Sequence, residues 1–267
     1  MRGSILNYLK TFSTTVGKDF DFRNGSVGNF VLTGACIDHN GDVNTAIFVF
    51  RKLCGITGNV WPCSLDSDLV LSATLKNGSR LAPQDAITKM SDTDAEIGIR
   101  AIELRREQGL KPSANPAALE AIKRADLIVF GPGSFYTSIL PHLLVNGVIE
   151  AVEQPECPKV FIGNILQCRE TLGMSLGNVV TTSGDTWRAH NLETSPSLQV
   201  LGNRLLFPFE KTVGIFPYLV DDMPTDDTHL IKLEELEDAW NRGQHDGDVV
   251  ADWLLETASA GEATTND

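Results

Sequence analysis

Apolar positions recur at helical spacing through the first 55 residues. Residues 3–13 and the stretch from Ser26 to about Cys36 both read as helices, the second with Val27, Phe30, Val31 and Leu32 as its apolar positions. Asp42 caps a third, with Val43, Ala46, Ile47, Phe50 and Leu53 on one face. The period then changes. Leu69, Leu71, Ala73 and Leu75 alternate with small or polar residues and run into Asn77-Gly78, which predicts a strand and a hairpin turn. Residues 94–106 and 116–124 read as helices, the latter with Asn115 as cap and Pro116 in the first position. Two short apolar runs, 127–130 and 160–162, sit between turn formers and predict fully buried parallel strands. Residues 213–216 read as one more strand, and 234–240 and 249–257 as terminal helices, before a small, polar stretch from Ala258 expected to fray.

Strands alternating with helices predict an α/β protein, with a doubly wound, mostly parallel sheet, flanking helices and a small β-hairpin region. The expected layout is one domain over residues 1–257 and a flexible tail over 258–267. In such sheets ligands sit beyond the carboxyl ends of strands. If the 127–130 and 160–162 strands are neighbours, the loops that follow them form one crevice.

The segment 125–147, ADLIVFGPGSFYTSILPHLLVNG, carries the most chemistry. A strand, a glycine turn and a helix start rich in hydroxyls make an anion site, because helix starts leave N–H groups unpaired and partially positive. Gly131, Gly133, Ser134, Tyr136 and Thr137 are the candidate donors, and the plain alternative is a βα turn with Ser134 as N-cap. The loop has no Lys-Ser/Thr pair, no third glycine, and no glycines two residues to either side of Ser134. It is therefore not a P-loop, a dinucleotide fingerprint or a nucleophile elbow. A second stretch, Asp21-Phe22-Arg23-Asn24-Gly25-Ser26 leading to Asn29, offers a guanidinium for phosphate and polar groups for a base or sugar. There the alternative is a capped helix start with Arg23 paired to Asp21. A third, from Asn164 to Thr171, offers the amides of Asn164 and Gln167.

Composition narrows the choice. The formal net charge of −13 disfavours nucleic acid or an anionic membrane as a partner, since both need a basic surface. No apolar run has membrane length, and the first 20 residues are too polar for a secretory signal, so a cytoplasmic protein is expected. Five cysteines without a C-x-x-C fit reduced thiols. Asp66 and Asp68 are weak candidates for Mg²⁺, and the histidines show no zinc spacing.

These pieces together resemble one family. The GPGSFYTSILPHLLVNG core is similar to the G-P-G-S-[LF]-Y-T-S-I-x-P-x-L-L-V-x-G-I segment of the CofD/YvcK-like proteins. Residues 23–30 resemble that family's [HN]-x-S-[FLV]-G-N-[LF] helix start, and Trp61-Pro62-Cys63-Ser64 with the hairpin after it resembles its post-proline hairpin. Residues 164–171 resemble its N-[VI]-[LM]-T-Q-x-G-E-T loop, one residue shorter and without the first threonine. The resemblance covers roughly residues 18–185. It implies either a phospholactate-transferase-like enzyme, using a nucleotide-diphosphate donor and Mg²⁺, or a YvcK-like binder of a UDP-sugar that acts as a metabolic regulator. Both imply a nucleotide-diphosphate or sugar-nucleotide ligand at the strand ends, with Ser134 and Asn29 among its contacts and the 131–138 and 23–29 stretches facing one crevice. Homo-oligomerisation stays open. The family's glycine-rich first turn and Asp-Asp-Gly-Gly-Ser-Ser-Gly-like loop have no counterpart here. Relative to the family the chain therefore reads as N-terminally incomplete, and an inactive fragment is the third reading.

Overall fold

A computed structural model describes residues 2–188, 198–203, 212–219, 222, 230–233 and 236–264. The sequence reading treats 1–257 as one domain. The structure groups the chain into two compact units, one of Met1–Leu65 with Asn115–Ala118 and one of Asp66–Ala114 with Leu119–Asp267.

The first unit is helical: α1 (Arg2–Val16), α2 (Val27–Asp38) and α3 (Val43–Cys54). Both expected caps form, Ser26 Oγ accepting from Asn29 N and Asp42 Oδ1 from Thr45 N. Tyr8, Val31, Ala35 and Ala46 make the core. Gly34 lets α1 and α2 touch backbone to backbone, since a Cβ there would stand 2.0 Å from the Tyr8 carbonyl oxygen. Phe12, Phe20, Phe22 and Phe30 form an aromatic cluster that pins the 20–22 segment to α1 and α2. Asn115, fully enclosed, bonds Asn44 and the carbonyl of Pro62, and its own Oδ1 caps the following helix at Ala117 N.

The second unit is α/β. It begins with β1 (Leu69–Leu75) and β2 (Arg80–Leu81), the expected hairpin, followed by α4 (Gln84–Thr88) and α5 (Asp92–Ile97). The helix expected over 94–106 is corrected. It stops at Ile97, and β3 (Ile99–Arg106) pairs antiparallel with β1 along its length. Gly98 at φ +80° ends the helix, and pairing with β1 overrides the helix propensity of a segment rich in Ile, Leu, Glu and Arg.

After α6 (Pro116–Lys123), the chain builds a parallel sheet in the order β4 (Ile128–Phe130), β5 (Lys159–Ile162), β6 (Leu198–Asn203) and β9 (Leu230–Leu233). Among the described residues the strands follow chain order across this sheet, without a reversal. The fold is α/β, with helices α7 (Leu140–Leu143), α8 (Val148–Glu153), α9 (Leu176–Arg188) and α10 (Gly247–Thr264) beside the strands. Val160, Ile162, Ile165, Leu201, Tyr218, Leu236 and Val250 form its core.

Four other expectations change. β5 is buried throughout, but β4 is the sheet's outer strand and leaves Val129 37% exposed, so only one of the two is fully buried. Residues 213–216 do not form one strand: β7 (Thr212–Val213) and β8 (Phe216–Pro217) make a hairpin turning at Gly214, φ +61°. No helix forms over the described part of 234–240. Glu237 bridges to His245, and Asp238 Oδ1 accepts from Trp240 N and Asn241 N, which closes a turn instead. The terminal helix runs to Thr264, past the point at Ala258 where fraying was expected.

Candidate functional site

β4 and β5 are adjacent and parallel, so the loops after Phe130 and Ile162 leave the same edge of the sheet. The two loops are joined by one side chain. Asn164 Nδ2 donates to the Gly133 carbonyl at 2.8 Å, and Gly133 N donates back to Asn164 Oδ1 at 3.2 Å. Gly131 is required where it stands: φ is +89°, and a Cβ would lie 3.0 Å from the Ile162 carbonyl oxygen. The two loops expected to share a crevice thus lie side by side, joined at Gly133 and Asn164.

Past the glycines the chain enters a wide helical turn over Phe135–Ile139, which α7 continues. The Ser134 carbonyl accepts from both Ser138 N and Ile139 N, at 2.8 and 3.1 Å, while its hydroxyl makes no capping bond. The plain reading of Ser134 as an N-cap therefore does not hold for its side chain. Tyr136 and Thr137 differ from the expectation of ligand-facing hydroxyls. Both are buried; Tyr136 Oη meets the Met174 sulfur at 3.7 Å, and Thr137 Oγ1 donates to Glu170 Oε1 at 2.6 Å. Gln167 is likewise spent inside: Nε2 donates to the Tyr218 carbonyl, and Oε1 accepts from Gly173 N. Burial leaves an amide no option but backbone partners, so Gln167 shapes the loop.

Glu170 is the residue that sequence reading missed. It is buried, its Oε2 has no hydrogen-bond partner, and burial pushes its carboxyl above the ordinary glutamate value. Hydrogen bonds from Thr137 and from the backbone of Tyr136 and Thr137 act in the opposite direction. The helix-start donors assigned to a ligand phosphate thus already face an internal carboxylate. The available signal was that Glu170 is the one acidic residue of the 164–171 loop.

A second missed group lies in the C-terminal part of the same unit. Tyr218 Oη donates to Glu237 Oε1 at 2.7 Å, and Arg242 Nη2 donates to Tyr218 Oη at 2.7 Å. His245 Nε2 lies 3.0 Å from the Gly163 carbonyl oxygen, beside Asn164 in sequence, and burial holds its pKa below the ordinary histidine value. These residues brace the loop that carries Asn164. In sequence they lie within or beside segments that read as a strand and a helix, and nothing local pairs them.

The 21–29 stretch lies in the helical unit. Arg23 is bidentate on Asp21, with Nε–Oδ1 and Nη2–Oδ2 both at 2.9 Å, and this pairing raises the guanidinium pKa and lowers the carboxyl one. Of the two readings of Arg23, the structure has the internal pair. Asn24 closes a short turn, Phe22–Asn24. Gly25 admits the Phe30 ring, which would lie 2.5 Å from a Cβ. Ser26 caps α2, and Asn29 is exposed in its first turn.

Asp66 and Asp68 do not fit a divalent ion. Arg106 Nε sits 3.0 Å from Asp68 Oδ1 and its Nη1 3.5 Å from Asp66 Oδ1, while Ser113 N donates to Asp66 Oδ2. A metal would have to displace a guanidinium already paired with both. Among the described residues no group of three or more His, Cys, Asp or Glu is placed to hold one, and no helix is long and apolar enough to cross a membrane.

A parallel sheet whose glycine turn and amide-bearing loop are joined at its carboxyl edge defines the class as α/β. Residues 3–201 match the family model described as 2-phospho-L-lactate transferase CofD, and the chain belongs to that family. It is similar to the gluconeogenesis factor of Listeria innocua, 31% identical over 239 residues, covering 89% of this chain and 70% of that protein. The putative gluconeogenesis factor of a Nostoc species is 36% identical over 154 residues, 57% of this chain. The chain spans 32% of that relative's length and 48% of the one from Thermotoga maritima. Among solved structures, protein BH3568 from Bacillus halodurans matches with a TM-score of 0.70 and 25% identity, over 92% of this chain and 77% of that one.

Proposed function

We propose that the chain binds a nucleotide-diphosphate-linked ligand, such as a UDP-sugar, beyond the carboxyl ends of β4 and β5, and acts as a metabolic regulator in the cytoplasm. The observation that carries this reading is the reciprocal Asn164–Gly133 pair, which sets the glycine turn and the second loop side by side at the edge where such sheets take ligands. Ser134 supplies the hydroxyl that no internal cap uses. The resemblance to gluconeogenesis factors favours regulation over turnover. Titration calorimetry with UDP, GDP, UDP-sugars and the free nucleosides tests it. Saturable binding of the diphosphates, at least about tenfold tighter than the nucleosides, is expected, because the Ser134 hydroxyl and the glycine-turn backbone would contact the phosphates and not the nucleoside. Equal or absent binding across the series rejects it.

The name of the matching family model favours a second reading, a phospholactate-transferase-like enzyme that moves a phosphoryl-linked group. It requires Mg²⁺-dependent turnover of a nucleotide-diphosphate donor. The ion would arrive with the donor's phosphates, since Asp66 and Asp68 are held by Arg106. Binding without turnover separates regulator from enzyme.

A further inference from the structure

The antiparallel sheet of β1, β2 and β3 has a face that neither reading uses. Residues paired across antiparallel strands point the same way, and neighbours along a strand point opposite ways. The register sets Val70 against Arg105, Ser72 against Glu103, and Thr74 against Arg80. These six therefore share one side, and Leu71, Ala73, Ile102 and Leu104 share the other. The polar side borders a cavity of about 630 Å³, lined by Val70, Arg80, Glu103, Arg105, Arg106, Glu107 and Gly109.

Two guanidinium groups converge there on one carboxylate. Arg80 Nη2 lies 3.2 Å from Glu103 Oε2, and Arg105 Nε lies 2.9 Å from Glu103 Oε1. Arg80 is also anchored by the Ser72 hydroxyl at 2.8 Å, itself only 3% exposed. Arg106, the third arginine of the wall, is committed to Asp68 and Asp66. Here Glu103 is shared between two guanidinium groups, so neither has a carboxylate to itself, while Glu107 elsewhere on the wall is a further acid. Arg105 uses only its Nε edge on Glu103, and no bond to Nη1 or Nη2 is found among the described residues. A guanidinium's terminal edge binds carboxylate or phosphate bidentately.

We propose that this face is a second ligand site, in which Arg80 and Arg105 grip the phosphate or carboxylate group of a small hydroxylated metabolite in competition with Glu103. The walls choose the class. Val70 is their one hydrophobic side chain, so the body of the ligand is polar. Glu103 and Glu107 disfavour a polyanion, so it carries a single anionic head. The proposal does not depend on the nucleotide reading, since the two sites share no residue.

Calorimetry on the whole chain tests it with two probes, glycerol 3-phosphate for the phosphate source and glycerate for the carboxylate source. Saturable binding of one probe is expected. Arg105→Ala and Arg80→Ala should each weaken it about tenfold or more, through loss of a charge-assisted contact. Glu103→Gln should tighten it severalfold by removing the internal competitor, and Ser134→Ala should leave it unchanged. Circular dichroism checks that each variant is folded. Three results overturn the proposal: neither probe binding to wild type or to Glu103→Gln, binding that survives Arg105→Ala, or binding lost in Ser134→Ala.

Discussion

The Thr137 hydroxyl donates to Glu170 Oε1 across 2.6 Å of enclosed space, tying the first turn after the glycine loop to the second crevice loop. Glu170 Oε2 is buried with no partner, and the Thr137 hydroxyl shares the carboxyl group with the backbone of Tyr136 and Thr137. Thr137→Val keeps the shape and removes the donor. It should cost about 1–3 kcal/mol, the loss of one hydrogen bond to a buried carboxyl group. Glu170→Gln should cost less, because its amide oxygen still accepts from Thr137. Denaturant melts measure both, and a Thr137→Val melt that overlays wild type would deny the bond any net role.

The same carboxyl makes stability depend on pH, with a defined sign. Burial raises its folded-state pKa above the ordinary value of 4.5. Between the unfolded and folded values the native state therefore binds more protons, and stability falls as pH rises through that window. Below the ordinary value the penalty is absent. Other carboxylates titrate nearby, so the measurement is the difference in melting temperature between wild type and Glu170→Gln. Wild type should lose ground to the variant as pH climbs from about 4.5. A constant difference across that range would show that Glu170 keeps an ordinary pKa.

Ser134→Ala separates binding from folding. Because the hydroxyl makes no capping bond, its loss should leave the melting temperature nearly unchanged. If it donates to a ligand phosphate, affinity for UDP-type ligands should fall by about one to two orders of magnitude, or roughly 1.5–3 kcal/mol. A lower melting temperature with unchanged affinity would mean that the residue serves only the helix start.

What the sequence revealed, and what it hid, divides along physical lines. Helix caps are local, so Ser26, Asp42 and Asn115 were readable at their own positions. Short apolar runs between turn formers placed β4 and β5, and glycines marked the loop after β4. β3 was not readable, because Ile99–Arg106 suits a helix by composition and becomes a strand only through its register with β1, some 30 residues earlier. Val129 was expected inside because no local feature says which strand lies outermost. Gln167 looked like a ligand contact and proved to be a buried brace. Glu170, Tyr218, Glu237 and His245 act through partners 19 to 82 residues away, a range that spacing rules do not reach.

Gly34→Ala is the corresponding prediction for the helical unit. A methyl at that point would meet the Tyr8 carbonyl oxygen at 2.0 Å, and neither atom belongs to a side chain that can swing aside. α1 and α2 must part, which overpacking data place at about 1–3 kcal/mol. The loss should appear in thermal melts, while Gly41→Ala, with nothing within 4 Å but φ +84°, should cost only its own backbone strain. Equal effects from the two substitutions would refute the close crossing.

Asn164 offers the most direct test of the crevice, because its two ends do different work. Asn164→Ala removes both bonds to Gly133 and should lower stability by about 1–3 kcal/mol, together with affinity for a diphosphate ligand, as the glycine turn loses its brace. Asn164→Asp keeps an acceptor for Gly133 N but loses the donor to the Gly133 carbonyl and sets a negative charge beside a carbonyl oxygen. An anionic ligand would meet that charge as well. The expected order of affinities is therefore wild type, then Ala, then Asp, with the gap between Ala and Asp shrinking at high salt as the repulsion is screened. Calorimetry at two salt concentrations measures it. An Asp variant that binds as well as wild type would mean that the ligand's phosphates lie away from this loop, and the strand-end site would have to be abandoned.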